Sequence, residues 1–267
     1  MPIQENCRII DHQQVSPRHF KLLLDSHYIS SQALPGQFVN VKCSPNLDPL
    51  LRRPLGLHRI GKGQHSLELL YEVVGKGTTA LTSFFVGEQL NLLGPLGQGF
   101  DLNIKKRNHL LVGGGVGIVP LLFLAEHLKS ESNTPINVFI GAKNRELVLG
   151  EKDFREIADQ VLVATDDGSY GEKGLVSDLL NGFIDNQLTA SQKDTTIIYA
   201  CGPQAMLRAI ADLAFQEKID CQISLDARLA CGIGACKGCA VKTTTGYKMV
   251  CKDGPVFDAK EIIFNDK

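Results

Sequence analysis

The sequence predicts an α+β protein built from more than one domain. Residues 1–100 carry short apolar or alternating segments separated by glycine and proline, which is typical of an antiparallel β-barrel or β-sandwich. Strand-like and helix-like segments alternate over residues 101–215, which predicts a doubly wound α/β domain. Four of the eight cysteines fall between positions 231 and 251, so residues 216–267 are predicted to form a separate cysteine-rich subdomain.

Length and charge exclude several classes of function. At about 150 residues per domain, 267 residues correspond to about two domains. The net charge of −1 leaves no basic footprint for nucleic acid or an anionic membrane. The chain starts without a basic or apolar leader, and its longest uncharged run, residues 110–125, is shorter than the roughly 20 residues of a membrane-spanning helix. We therefore expect a cytoplasmic protein with no nucleic-acid or membrane partner.

The first 100 residues contain three clear strand candidates. They lie at residues 20–24, 37–41 and 66–74, and Pro35-Gly36 and Gly94-Pro95 mark turns. The following domain alternates strand candidates at 109–112, 136–140, 160–164 and 196–200 with helix candidates at 120–129, 151–158, 176–183 and 203–217.

A glycine-rich turn joins the first strand of the α/β region to its first helix. Gly113 to Gly117 follow an apolar strand, and helix N–H groups at this place favour a pyrophosphate. The strict G-x-G-x-x-G pattern is not met, because Ile118 stands at the third glycine position. The run is therefore interpreted as a dinucleotide-binding turn, with an ordinary tight turn as the alternative.

The cysteine spacing is the most specific pattern in the chain. Its pattern is C-x4-C-x2-C-x11-C, formed by Cys231, Cys236, Cys239 and Cys251. The first three cysteines match the plant-type [2Fe–2S] spacing, and glycines inside the loop allow backbone N–H groups to approach the sulfur atoms. A structural zinc site is the alternative, although zinc ribbons favour two C-x2-C pairs and only one is present.

Taken in order, these segments resemble the ferredoxin–NAD(P) reductase superfamily. That family has an FAD-binding antiparallel β-barrel followed by a nicotinamide-binding α/β domain. Residues 53–56 are similar to its flavin motif, residues 75–78 to its FAD-phosphate motif, and residues 114–121 to its nicotinamide glycine motif. Residues 201–203, Cys-Gly-Pro, are similar to the segment in which the family's cysteine lies near the nicotinamide.

This resemblance implies two sets of cofactor-binding residues. The FAD set is Arg53, Pro54, Leu55, Gly56, Leu70, Tyr71, Glu72, Gly77 and Thr78. The NAD set is Gly114, Gly115, Gly117, Cys201, Gly202 and Pro203. Leu55 and Gly56 depart from the family's aromatic and hydroxyl residues, so Gly56 offers no hydroxyl group to the flavin.

Residues 166–171, 231–236 and 250–257 resemble, more narrowly, the electron-transfer subunits of class 1B dihydroorotate dehydrogenases. The resemblance implies an FAD barrel over residues 1–100, an NAD domain over 101–215 and a [2Fe–2S] subdomain over 216–267. It also implies an FMN-containing catalytic partner, assembled as two copies of each chain. Electrons would pass from dihydroorotate on the partner through the cluster and FAD to NAD, in pyrimidine biosynthesis.

Two other functions stay open from the sequence. One is a subunit of another flavin and iron–sulfur NAD(P)H complex, of the ferredoxin-linked transhydrogenase or sulfide dehydrogenase type. Lys143 and Arg145 would allow NADP there, whereas Glu146 favours NAD. The other is a zinc-stabilised binding module without redox activity.

Overall fold

The structure is a computed structural model that describes residues 1–61, 65–104 and 106–264 of the chain. Over these residues the strands form a closed six-stranded barrel, a seven-stranded sheet and a two-stranded ribbon. The predicted α+β fold, with an antiparallel barrel followed by a doubly wound domain, is confirmed.

The barrel is built entirely from antiparallel neighbours in the order β1-β2-β5-β4-β3-β6. Its elements are β1 (Ile3–Gln14), β2 (His19–Asp25), α1 (Tyr28–Gln32), β3 (Phe38–Val41), β4 (Arg53–Gly61), β5 (Ser66–Glu72), α2 (Lys76–Leu81) and β6 (Gln89–Leu96). Inward side chains such as Leu22, Val39 and Leu69 fill the interior. Because β1 pairs with both β2 and β6, the barrel leaves no open edge.

The second part is a mostly parallel sheet with helices on both faces. Its elements are β7 (Asn108–Gly114), α3 (Val119–Glu131), β8 (Ile136–Ala142), α4 (Glu151–Arg155), β9 (Gln160–Thr165), β10 (Glu172–Lys173), α5 (Val176–Gln187), α6 (Ala190–Lys193), β11 (Thr196–Cys201), α7 (Gln204–Glu217) and β12 (Asp220–Ser224). The chain moves outward from β7 through β8 and β9, then returns to place β11 on the other side of β7. This reversal creates a topological switch point between β7 and β11.

The last part of the chain adds a ribbon and one further strand. Its elements are β13 (Ala240–Thr243), β14 (Gly246–Met249), α8 (Val250–Asp253) and β15 (Val256–Asp258). Both β12 and β15 lie beyond residue 215 and extend the large sheet, with β15 antiparallel to β12. The domain boundaries at residues 100 and 215 stay predictions.

Buried side chains join the three parts. Phe123 of α3 lies in the barrel core, and Leu70 of the barrel lies in one core of the large sheet. Phe38 of β3 packs with Cys239 and Cys251 in a further core. Among the residues described, no helix is both long and apolar enough to cross a membrane.

Candidate functional site

The four cysteines of the C-x4-C-x2-C-x11-C pattern come together beyond the end of β12. Cys239 immediately precedes β13 and Cys251 lies in α8, so the β13–β14 ribbon folds one back beside the other. Their Sγ atoms are 3.3 Å apart. In the adjoining loop, the backbone N–H of Cys236 donates to Sγ of Cys231 at 3.4 Å. The thiols thus lie as two pairs.

Backbone N–H groups surround these sulfur atoms. Gly234 donates to Sγ of Cys251 at 3.1 Å, and Gly238 donates to Sγ of Cys236 at 3.4 Å. Gly234 has a φ of 83°, a conformation that glycine adopts readily. Backbone donors, that of Ile233 first, lower the pKa of the Cys231 thiol to about 6. At Cys231 these donors favour the thiolate form that binds metal, whereas burial raises the pKa of the Cys251 thiol to about 12.

The donor set of the loop fits a [2Fe–2S] centre. Two cysteine pairs with backbone N–H donors directed at sulfur could supply its four thiolates, together with hydrogen bonds to sulfur that tune such a centre.

On the barrel, Arg53 meets the start of α2. Its guanidinium lies directly over Gly77, so close that a Cβ atom at Gly77 would overlap Nε of Arg53. Gly77 and Thr78 occupy the second and third positions of α2, where helix N–H groups lack an intrahelical partner. The hydroxyl of Thr78 accepts from the N–H of Val74 at 3.0 Å and so holds the turn. Arg53 and these amides together form a place suited to a phosphate.

The remaining flavin-motif residues follow along β4. Leu55 packs on the barrel core, whereas Gly56 faces α3, where its Cβ position lies 3.9 Å from the ring of Pro120. Two residues further, Nδ1 of His58 donates to the carbonyl oxygen of Val119 at 2.9 Å. Because residue 56 is glycine, no side chain projects from this face of β4 where the barrel meets the α/β domain.

The three predicted FAD residues on β5 take different directions. Tyr71 is only 1% exposed in the barrel interior, and its hydroxyl bonds with Nε2 of His12 at 3.0 Å. Leu70 points the other way and packs into the core of the large sheet. Glu72 pairs with Arg18 at 3.2 Å. Of these three residues, it is Leu70 that packs against the α/β domain.

The predicted NAD residues gather at the switch point. β7 and β11 are adjacent, with Cys201 opposite Gly113, so the glycine turn and the Cys-Gly-Pro segment lie at the same sheet edge. A Cβ atom at Gly117 would overlap the carbonyl oxygen of Cys201, and one at Gly114 would lie 2.9 Å from Cδ of Pro203. Gly115 alone faces open space, with a φ of 54°. Ligands of open α/β sheets bind at such an edge.

Cys201 is not an activated nucleophile. Burial raises the pKa of its thiol to about 12, despite the hydrogen bond with Ser224. The thiol therefore stays protonated and acts as a small wall residue beside the glycine turn.

Two residues connect these places, and of these the sequence analysis missed Asn40. Asn40 and His58 are buried polar residues on barrel strands, and each contacts a motif outside the barrel. A polar residue inside an apolar strand run was the available signal for Asn40. Its partner could not be read from the sequence, because that partner lies 191 positions away.

Comparison with known proteins gives a consistent picture. A family model described as the iron-sulfur cluster binding domain of dihydroorotate dehydrogenase B matches residues 226–263. A second, described as an oxidoreductase NAD-binding domain, matches residues 111–212.

Curated relatives match over nearly the whole chain. A protein of Geobacillus sp. (strain WCH70) named dihydroorotate dehydrogenase B (NAD(+)), electron transfer subunit, is 40% identical over 265 residues, covering 97% of this chain and 98% of that protein. The protein of the same name from Desulforamulus reducens is 35% identical over 263 residues, with the same coverage.

Solved structures share the architecture. That of an NADH-dependent reduced ferredoxin-NADP oxidoreductase superposes with a TM-score of 0.84 and 29% identity, over 97% of this chain and 90% of that chain. The ferredoxin reductase of carbazole 1,9a-dioxygenase, at a TM-score of 0.68 and 18% identity, covers 82% of this chain and 67% of that chain and shares the fold alone.

Proposed function

Because the chain belongs to the family of electron transfer subunits of dihydroorotate dehydrogenase B, we propose that it holds FAD and a [2Fe–2S] cluster and delivers electrons to NAD. The resemblance drawn from its motifs is confirmed at the level of the family. The chain is the NAD-linked component of an oxidoreductase of pyrimidine biosynthesis. When bound, FAD exchanges a pair of electrons with NAD and single electrons with the cluster.

We assign the cluster to Cys231, Cys236, Cys239 and Cys251. The two cysteine pairs and the N–H donors of Gly234 and Gly238 support this assignment. Nearby glycines keep the backbone close to the sulfur atoms, where its N–H groups stabilise negative charge. This arrangement of thiols and amides is the single observation that carries the proposal.

We assign the pyrophosphate of FAD to Arg53 and the backbone N–H groups of Gly77 and Thr78. The guanidinium is held over the start of α2, so a phosphate at this place would meet both a charged fork and helix amides. The hydroxyl of Thr78 orders the turn and leaves phosphate binding to the amides. Pro54, Gly56 and Leu70 would line the neighbouring flavin surface, whereas Leu55 packs on the barrel core.

We assign NAD to the switch point between β7 and β11. Gly114, Gly115 and Gly117 keep side chains away from the turn, so the backbone can approach a dinucleotide. Cys201, Gly202 and Pro203 form the opposite wall. The relatives' printed name specifies NAD(+), which supports NAD over NADP for this chain.

The subunit name of the relatives implies a catalytic partner. We propose that this partner is an FMN-containing dihydroorotate dehydrogenase subunit, that it oxidises dihydroorotate, and that the complex contains two copies of each chain. Ile233, next to the cluster cysteines, is 53% exposed, and Cys236 is exposed as well. Because electrons pass only over short distances, the exposed side of the cluster loop is the face that we propose for docking of this partner. We also propose a cytoplasmic location, where free thiols persist.

The substitution Cys236→Ala tests the assignment. We expect loss of iron and of iron–sulfur absorption, and loss of electron transfer between partner and FAD. NADH should still reduce the FAD, because the barrel and the switch point are untouched. Absorption spectra, iron analysis and stopped-flow reduction measure these effects.

The matched control is Cys221→Ala, which removes a buried thiol outside the loop and should leave the cluster intact. Full partner-linked activity in Cys236→Ala would overturn the proposal. Comparing NADH with NADPH in the same assay separates this function from that of a ferredoxin-linked transhydrogenase subunit.

A further inference from the structure

Asn40 stands out among the barrel residues because it is polar, central and almost fully buried. It lies on β3, between β4 and β6, with 1% of its surface exposed. Its side-chain oxygen Oδ1 is buried and has no hydrogen-bond partner within the described part of the chain. Burying an unpartnered acceptor costs free energy, so an apolar residue would serve packing better here. Such a departure from local consistency points to a role beyond packing.

The register of β3 places Asn40 on the outer face of the barrel. Val39 and Val41 point into the barrel core, whereas Phe38 packs with the buried cluster cysteines outside it. Since side chains alternate along a strand, Asn40 shares the outer face with Phe38. Directly across the ladder, Asn40 faces Pro54 of the flavin motif on β4. Residues opposite each other in an antiparallel pair lie on the same face.

On that outer face Asn40 contacts the cluster loop. Its Nδ2 donates to the carbonyl oxygen of Cys231 at 3.4 Å. The next residue, Gly232, has a φ of 72°, and a Cβ atom there would overlap Nδ2 of Asn40. Phe38 supports the Cys239–Cys251 side of the loop, and Asn40 supports the Cys231 side. The cluster loop therefore packs on the outer face of β3.

We propose that Asn40 is a positioning residue that fixes the Cys231 end of the cluster loop beside the flavin-motif strand β4. Its amide fixes the loop to β3, the strand that pairs with β4, and so sets how readily one electron crosses between cluster and FAD. The inference rests on the proposed function, since it concerns the route between those two groups. Asn40 touches the loop backbone and acts through it.

The test uses the complete complex with Asn40→Leu, which keeps the branched heavy-atom shape of the side chain but removes the amide. Iron and FAD content should match the wild type. The electron paramagnetic resonance spectrum of the reduced cluster should shift its g values, because a hydrogen-bonded ligand loop has moved. After mixing with NADH, flavin reduction should keep its rate, while passage of one electron from FAD to the oxidised cluster should slow about tenfold or more.

The matched control is Asn137→Leu, which changes a buried strand asparagine of β8, in the other sheet. It should leave the g values and the transfer rate unchanged. Should Asn40→Leu fail to fold, Asn40→Ser removes the same amide with a smaller side chain, and the same shifts are expected. Unchanged g values and an unchanged transfer rate in the folded variant would overturn the proposal.

The iron and FAD content of the wild type distinguishes a failure of the proposed function from a failure of the role proposed for Asn40. A wild-type chain isolated without iron and FAD would overturn the proposed function itself. A wild-type chain with both cofactors, paired with an Asn40 variant that behaves identically, would overturn only the role of Asn40.

Discussion

At the scale of single residues, one arginine concentrates the charge at the predicted FAD site. The Arg53 guanidinium donates to the carbonyl oxygen of Leu51 at 2.6 Å, which holds it over Gly77 at the start of α2. A guanidinium that is already held in place loses less conformational entropy when it binds an anion. The glycine is required because any side chain there would displace the guanidinium.

The substitution Arg53→Ala should weaken FAD binding. A hydrogen bond to a charged group contributes about 1.5–3 kcal/mol, so the dissociation constant should rise about 10- to 100-fold. Flavin content after dialysis and fluorescence titration with FAD measure the effect. Arg8→Ala is the matched control, because its exposed side chain on β1 pairs with Asp25, and neither residue belongs to a predicted cofactor motif. Equal FAD retention in both variants contradicts the role of Arg53.

At the scale of elements, β4 connects most of the functional parts. Arg53 begins it, Gly56 faces α3, and Arg59 pairs with Glu126 of α3 at 2.6 Å. Between them, His58 donates to the first turn of the same helix. One strand thus carries the predicted flavin motif and also fixes the helix that follows the glycine turn predicted to bind NAD.

His58 is a neutral buried link in this strand. Burial lowers its pKa, although the hydrogen bond to Val119 and the carboxylates of Glu68 and Asp153 oppose that shift and Arg59 adds to it. The unfolded chain takes up a proton as pH falls below about 6.5, whereas the folded chain resists it. The free energy of unfolding therefore decreases as pH falls through this range.

We expect His58→Leu to lower stability at pH 7.5 by about 1–3 kcal/mol, since the Val119 carbonyl loses its donor inside the protein. The variant should also lose less stability than the wild type between pH 7.5 and 5.5, because it lacks the buried histidine whose protonation favours the unfolded state. Denaturation at both pH values measures this. His27→Leu, at an exposed side chain, is the control. A pH dependence identical to that of the wild type argues against a neutral His58.

Elements also show where local patterns fall short. The longest of the described strands, β1, was not predicted, because only Cys7 and Ile9 of its twelve residues are buried and most of the others are polar. Helix α5 continues past its predicted end at residue 183 to Gln187, because Ile184 packs into the sheet core. In both cases pairing or packing with distant residues outweighs local composition.

At the scale of the whole molecule, three cofactor regions share buried cores. The cluster cysteines pack against barrel residues, and α3 inserts Phe123 into the barrel. Such shared cores hold the regions in one arrangement, which electron transfer over short distances needs. The exposed side of the cluster loop, which includes Ile233, is the face that we propose for docking of the catalytic partner.

The substitution Ile233→Glu should weaken assembly with the partner. Placing a charge in an apolar contact buries it without a partner, so the affinity should fall about tenfold or more. Size-exclusion chromatography and calorimetric titration with the partner measure this, with iron content as a check on the cluster. Phe215→Glu, at a 73% exposed position near the end of α7, is the control. Equal assembly of both variants would exclude this face.

Local patterns in the chain were enough to predict its cofactor chemistry. Cysteine spacing, the glycine turn and the alternation of segments are such patterns, because metal ligation and tight turns need particular residues at short separations. Which face each residue takes, and which distant motifs meet, follows from the tertiary structure. Leu70 rather than Tyr71 faces the α/β domain, and Asn40 joins the cluster loop to the strand beside the flavin motif. These contacts are set by strand register and barrel closure, which depend on pairing between residues far apart in the chain.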